Sequence, residues 1–177
     1  MGNKVETILE RVKLRVGEKA YNNIINDCGE LGEKPTLTKQ AKYTSEIINA
    51  ISKYCNNAEI REIMQPCGYN CISNSTIEKA KNIYAKTPDI RDFLLKLNEQ
   101  HIGGGNLHID NDKIIGVYLK CYCGLAKASK NLSSDYCNCS AGWFKKLFSS
   151  VFDKDVEVEK MNTILDGADQ CIFEITY

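Results

Sequence analysis

Between Lys4 and Asn26 the apolar residues Val5, Ile8, Leu9, Val12, Val16, Ala20, Ile24 and Ile25 recur at intervals of three and four. That spacing lines one face of an amphipathic helix. Gly29 and Gly32 supply a stop, and Pro35-Thr36-Leu37-Thr38 offers a threonine cap to a second helix carrying Ala41, Ile47, Ile48 and Ile51. A third helical stretch runs from Asn57 to Cys67 or Cys71 and a fourth from Ser75 to Ala85. A fifth, opened by Thr87-Pro88-Asp89, carries Phe93, Leu94 and Leu97. At His101 the period changes. Gly103-Gly104-Gly105 reads as a hinge, followed by Leu107 and Ile109, a turn at Asp110-Asn111-Asp112-Lys113, and Ile115, Val117 and Leu119 in alternation. This is a hairpin. Gly142–Phe152 is a further amphipathic helix, Val156 and Val158 with Met161 or Ile164 a strand, Asp166–Asp169 a turn, and Cys171–Ile175 a last strand. The order helices, hairpin, helix, hairpin predicts one α+β domain over residues 1–177. Its helical part, 1–100, packs on a sheet-forming part, 101–177, with one crossover helix and an antiparallel sheet of about four strands.

Composition narrows the class. Of 177 residues 43% are hydrophobic and 26% charged, enough apolar surface for a folded core. Lys and Arg number 23, as do Asp and Glu, and the basic residues are scattered. Clustered positive charge is what phosphate backbones need, so nucleic acid is excluded as a partner. No apolar run approaches the roughly 20 residues of a membrane span, which excludes the bilayer. Charges at Lys4 and Glu6 interrupt the place where a secretory signal would carry its apolar stretch. A cytoplasmic chain with reduced cysteines is therefore expected.

The chemistry-bearing feature is cysteine. There are nine, and six form tight pairs: Cys67 with Cys71, Cys121 with Cys123, and Cys137 with Cys139. On a helix the first pair shares a face; on a strand an i, i+2 pair does the same. Six thiols converging in this way point to a metal centre, zinc first because it takes four thiolates tetrahedrally, with an iron–sulfur cluster as the lesser alternative. The competing reading is that these are small buried residues. Cys28, Cys55 and Cys171 sit singly on apolar patterns and read as core. His101 and His108 are the only imidazoles and read as ordinary surface or core residues. The glycine triplet lacks the Lys-Ser/Thr of a phosphate loop. Trp143, Phe144, Phe148 and Phe152 form an aromatic stripe that reads as core, while Trp143 and Phe144 with Tyr118 are the candidate walls of a ligand pocket.

Cys139 followed by Gly142-Trp143, the helix after them, Val156-Glu157-Val158-Glu159 and the ending Gly167-Ala168-Asp169-Gln170-Cys171-Ile172-Phe173-Glu174-Ile175 resemble the 4-vinyl reductase type of small-ligand domain. The whole chain, with its helical first half and Cys67-Gly68-Tyr69-Asn70-Cys71, is similar to bacterial proteins grouped with L-2-amino-thiazoline-4-carboxylic acid hydrolase. The resemblance implies the fold shared by nitric-oxide signalling and Golgi transport proteins, a homodimer, and a ligand pocket between helices and sheet. Phenol-sensing members hold zinc at positions that Cys139 and Cys171 match, but the intervening Glu-x-x-Cys is replaced here by Lys160-Met161-Asn162-Thr163. The functional expectation is a cytosolic domain that binds zinc through Cys67, Cys71, Cys121, Cys123, Cys137 and Cys139 and a small organic molecule in an apolar pocket. The alternative is a small hydrolase of the thiazoline type, using zinc-bound water or one of these six cysteines as nucleophile.

Overall fold

The computed structural model describes residues 4–87, 89–129 and 131–177, so Pro88 in the expected start of the fifth helix lies outside the described residues. Five helices come first: α1 (Lys4–Cys28), α2 (Leu37–Ile51), α3 (Asn57–Tyr69), α4 (Asn74–Lys86) and α5 (Ile90–Glu99). Their starts follow from side chains that accept the free N–H groups of the first turn. Thr36, Ser73 and Asp89 cap α2, α4 and α5, and Asn56 with Glu59 closes a reciprocal capping box on α3. Helix α1 is interrupted at Gly17, whose φ of 79° and ψ of 167° are non-helical. An Arg15–Glu59 ion pair at 2.6 Å joins α1 to the start of α3.

Strands β1 (Leu107–Asp110) and β2 (Lys113–Tyr118) form the hairpin, and β3 (Glu157–Asn162) and β4 (Cys171–Thr176) complete an antiparallel sheet in the order β1-β2-β4-β3. Between β2 and β3 run the short helix α6 (Gly124–Ala128) and the long α7 (Asn138–Phe152). The fold is thus α+β, with a helical first half and a four-stranded antiparallel sheet. Two apolar cores meet on α7. Cys139 packs with α1, α2 and α3, whereas Phe144, Leu147, Phe148 and Val151 pack with α4, α5 and the sheet. No helix among the described residues is long and apolar enough to cross a membrane.

The alternation read for β2 is out of phase. Ile114 is fully buried, Ile115 half-buried and Leu119 62% exposed. The core-facing row is Ile114, Gly116 and Tyr118, because Gly116 leaves room for the Phe144 ring; a Cβ there would lie 2.8 Å from Phe144 Cζ. The strand's most apolar row is therefore not its most buried one. The glycine triplet, expected as a hinge, is a packed turn: Gly103, Gly104 and Gly105 all have left-handed φ, and Gly103 is buried against Phe144 and Leu107.

Among the described glycines, the closest approach of neighbouring backbone is where α3 crosses α7. A Cβ on Gly68 would collide with the Cys139 carbonyl oxygen and lie 2.6 Å from Trp143 N. One on Gly142 would collide with the Gln65 carbonyl oxygen and lie 2.8 Å from Gln65 Cα. These obstacles are backbone, which cannot swing aside like a side chain. Gln65 Nε2 also donates to Val158 O at 2.9 Å, tying the crossing to the sheet. Gly68→Ala and Gly142→Ala should each lower the unfolding free energy by about 1–3 kcal/mol or more, the usual cost of overpacking. Urea unfolding checks this, with Gly32→Ala, where a Cβ meets nothing within 4 Å, as the control expected to change little.

Candidate functional site

The three cysteine pairs do not converge on one point. Cys67 is buried inside α3 and donates to Ile63 O at 3.5 Å. Cys71 lies just beyond the end of α3, donates to Cys67 O at 3.7 Å, and places its sulfur 4.0 Å from that of Cys139. Cys123 precedes α6 and donates to the Tyr136 hydroxyl oxygen at 3.5 Å. Cys121 and Cys137 lie close enough to Cys171 to interact with it electrostatically, and neither lines the cavity that Cys71, Cys123 and Cys139 line. Each C-x-C pair is thus split. Cys137 and Cys139 straddle the start of α7, where two residues turn the chain by about 200° and send the side chains to opposite sides. Cys121 and Cys123 follow the end of β2 and lead into α6, so the two-residue period of a strand no longer applies.

All nine cysteines are free thiols. Among the described residues, no group of three or more His, Cys, Asp or Glu side chains is disposed to hold a metal ion. Among the described residues, the six thiols expected from the spacing to share one zinc centre are not disposed as a preformed tetrahedral site.

The cavity has a volume of about 590 Å³. Cys71, Cys123 and Cys139 line it, and so do Trp143 and Tyr118. Phe144, expected beside them, is fully buried behind: its ring stacks on Tyr118 with centroids 5.3 Å apart and meets Trp143 edge-on. Among the described residues the lining also includes Lys4, Lys120 and His101, and no carboxylate. Lys4 and Tyr136 were not foreseen. Lys4 stands more than a hundred residues from Cys123 yet reaches to 4.0 Å from its sulfur. Nothing in the local sequence marks that contact, whereas an aromatic beside Cys137 was a readable hint for Tyr136.

Over residues 2–177 the sequence matches the family described as a family of unknown function, DUF6144. The chain belongs to that family. No curated protein matches it. A solved structure similar to this DUF6144 chain is trafficking protein particle complex subunit 3 from Naegleria fowleri covalently bound to palmitic acid. The two are 15% identical, with a TM-score of 0.45 over 79% of this chain and 93% of that one.

The electrostatics of the DUF6144 cavity single out one thiol. Cys67 is held up to about 12, because burial penalises its thiolate. Four residues on, the Cys139 thiol hydrogen-bonded to Cys71 and the charge of Lys4 outweigh burial and bring Cys71 down to about 6. Cys139 moves well up, both because it shares that hydrogen bond and because it is buried. Burial works against the Lys4 charge, yet Cys123, Cys71 and Cys139 together hold its pKa above the ordinary value. Tyr118 and Tyr136 are raised, mainly by burial, and stay neutral at physiological pH. The cavity thus pairs one thiolate with one ammonium beside neutral donors.

A thiolate fraction rises with pH through its pKa, so alkylation of Cys71 by iodoacetamide should rise with a midpoint near pH 6 and be largely lost below it. Cys139→Ala removes the hydrogen bond and Lys4→Gln the charge, and each should move that midpoint upward. Peptide-resolved alkylation rates across the pH range measure both effects; an unmoved midpoint in the two variants would refute this account of the thiol.

Proposed function

We propose that the protein binds a small organic anion bearing an aromatic ring in the cavity between α3, α7 and the end of β2. The observation that carries this reading is the composition of the walls. Tyr118, Tyr122, Tyr136 and Trp143 supply flat apolar faces, and among the described residues the ionisable lining side chains other than thiols and phenols are Lys4, Lys120 and His101, with no carboxylate. The volume of about 590 Å³ is in the range of small-molecule sites. Since the whole chain has a formal net charge of zero, the positive lining is a local feature. Among the described residues Lys4 is engaged by the thiols, and Lys120, 5.7 Å from the Tyr122 ring centroid, is the other lining ammonium, placed to meet a ligand's charge.

This reading does not draw on zinc. The hydrolase alternative retains its cysteine arm: Cys71 is the thiol whose surroundings favour the nucleophilic form, and it faces the cavity.

Trp143 is the only tryptophan and lines the cavity, so its fluorescence reports occupancy. Titration with naphthoate should quench it saturably, and Lys120→Glu should weaken that binding by about tenfold, equivalent to roughly 1.4 kcal/mol. Naphthylmethylammonium, of like shape and opposite charge, should bind more weakly than naphthoate to the unmodified protein. Equal or tighter binding of the cation, or no response to either probe, would overturn the reading.

A further inference from the structure

Cys71 and Cys139 are two free thiols in van der Waals contact, 4.0 Å apart, at the wall of a cavity large enough for an organic molecule. They come from positions 68 residues apart. Their separation is set by backbone, because Gly68 on α3 abuts the Cys139 carbonyl on α7. A disulfide bond is about 2.05 Å long, so side-chain motion of about 2 Å would join the sulfurs. The two are unequal in access. Cys71 is half-buried, whereas Cys139 is only 6% exposed. An incoming molecule therefore meets Cys71 first, with Cys139 waiting behind it. Lys4 stands over the group as its counter-charge.

We propose that Cys71 and Cys139 act as nucleophile and resolving thiol toward a small aromatic disulfide bound in the cavity, reducing it and leaving a Cys71–Cys139 disulfide in the protein. The choice of an aromatic disulfide rests on the pocket reading above; the thiol pairing does not. In the first step the Cys71 thiolate attacks one sulfur of the bound disulfide. The substrate S–S bond breaks, its electron pair leaves with the first thiolate, and Cys71 carries a mixed disulfide. In the second, Cys139 gives up its proton to solvent, and its sulfur attacks Cys71 Sγ. The second thiolate is expelled and the protein disulfide forms. Two electrons have passed from the dithiol to the substrate, which ends as two thiols. Exchange with two equivalents of a low-mass thiol reverses the oxidation and restores the pair.

Dithiobis(nitrobenzoate), an aromatic disulfide carrying carboxylates, probes this directly on the full chain. Stopped-flow mixing should show a fast phase releasing two equivalents of nitrothiobenzoate, with peptide mapping placing a new disulfide between Cys71 and Cys139. Cys139→Ser should halve the fast phase and trap the mixed disulfide on Cys71, and Cys71→Ser should abolish it. Circular dichroism checks that the variants fold, and Cys139→Ala serves in place of a serine variant that does not. A fast phase confined to another cysteine, or an undiminished two-equivalent release without Cys139, overturns the thiol pairing. Dithiodiethanol, small and uncharged, separates the two readings once each disulfide's rate with Cys71 is divided by its rate with free glutathione, which removes the difference in leaving-group pKa: that ratio should be about tenfold smaller for dithiodiethanol. Equal ratios for both disulfides would overturn the aromatic substrate class while leaving the dithiol chemistry in place.

Discussion

The approach of α3 to α7 is the constraint from which the candidate site follows. Helices that cross through ordinary side chains keep their axes 8–10 Å apart or so, and backbone carbonyls stay out of reach of the neighbouring helix. Here Gly68 and Gly142 remove the side chains at the crossing, and the carbonyls of Cys139 and Gln65 occupy the space a methyl would need. That contact joins the two apolar cores, since α7 leaves one and enters the other. It also brings the end of α3 to the first turn of α7, and with them two cysteines that no local feature connects.

What those cysteines become is decided by surroundings more than by spacing. Cys67 and Cys71 are separated by one helical turn, and burial desolvates both. Cys67 has no partner strong enough to reverse that penalty, and its thiol is held protonated. Cys71, at the cavity wall, has a neighbouring thiol and an ammonium, and both favour the thiolate. Inside a protein the effective dielectric constant is well below that of water, which magnifies both the penalty and the compensation. A thiol whose surroundings favour the thiolate and one held protonated therefore stand one turn apart.

The helices were readable because each carries a run of apolar residues at the helical period and most begin with a side chain that caps them, as at Thr36, Asn56, Ser73 and Asp89. The sheet was readable in its existence and its antiparallel strands, but its strand order came only with the structure, and so did the facing of β2, where a glycine under an aromatic ring takes the place of the apolar residue that patterning looks for. The cysteine pairs misled for a related reason: an i, i+2 interval has one meaning on a strand and another at the start of a helix, and α7 begins between Cys137 and Cys139. Of the pocket walls named from sequence, Tyr118 and Trp143 face the cavity while Phe144 supports them from the core. Lys4 was beyond reach, because its meeting with Cys123 is created by the packing of α1 as a whole.

The central claim is that Cys71 and Cys139 are held sulfur to sulfur by the glycine crossing, and dibromobimane tests it directly, since it becomes strongly fluorescent when two neighbouring thiols displace both bromines. The account predicts rapid gain of fluorescence in the reduced protein, with the bridged peptides being those that contain Cys71 and Cys139. Single-arm adducts at Cys71 with Cys139 left free, or bridges confined to other cysteines, would contradict it.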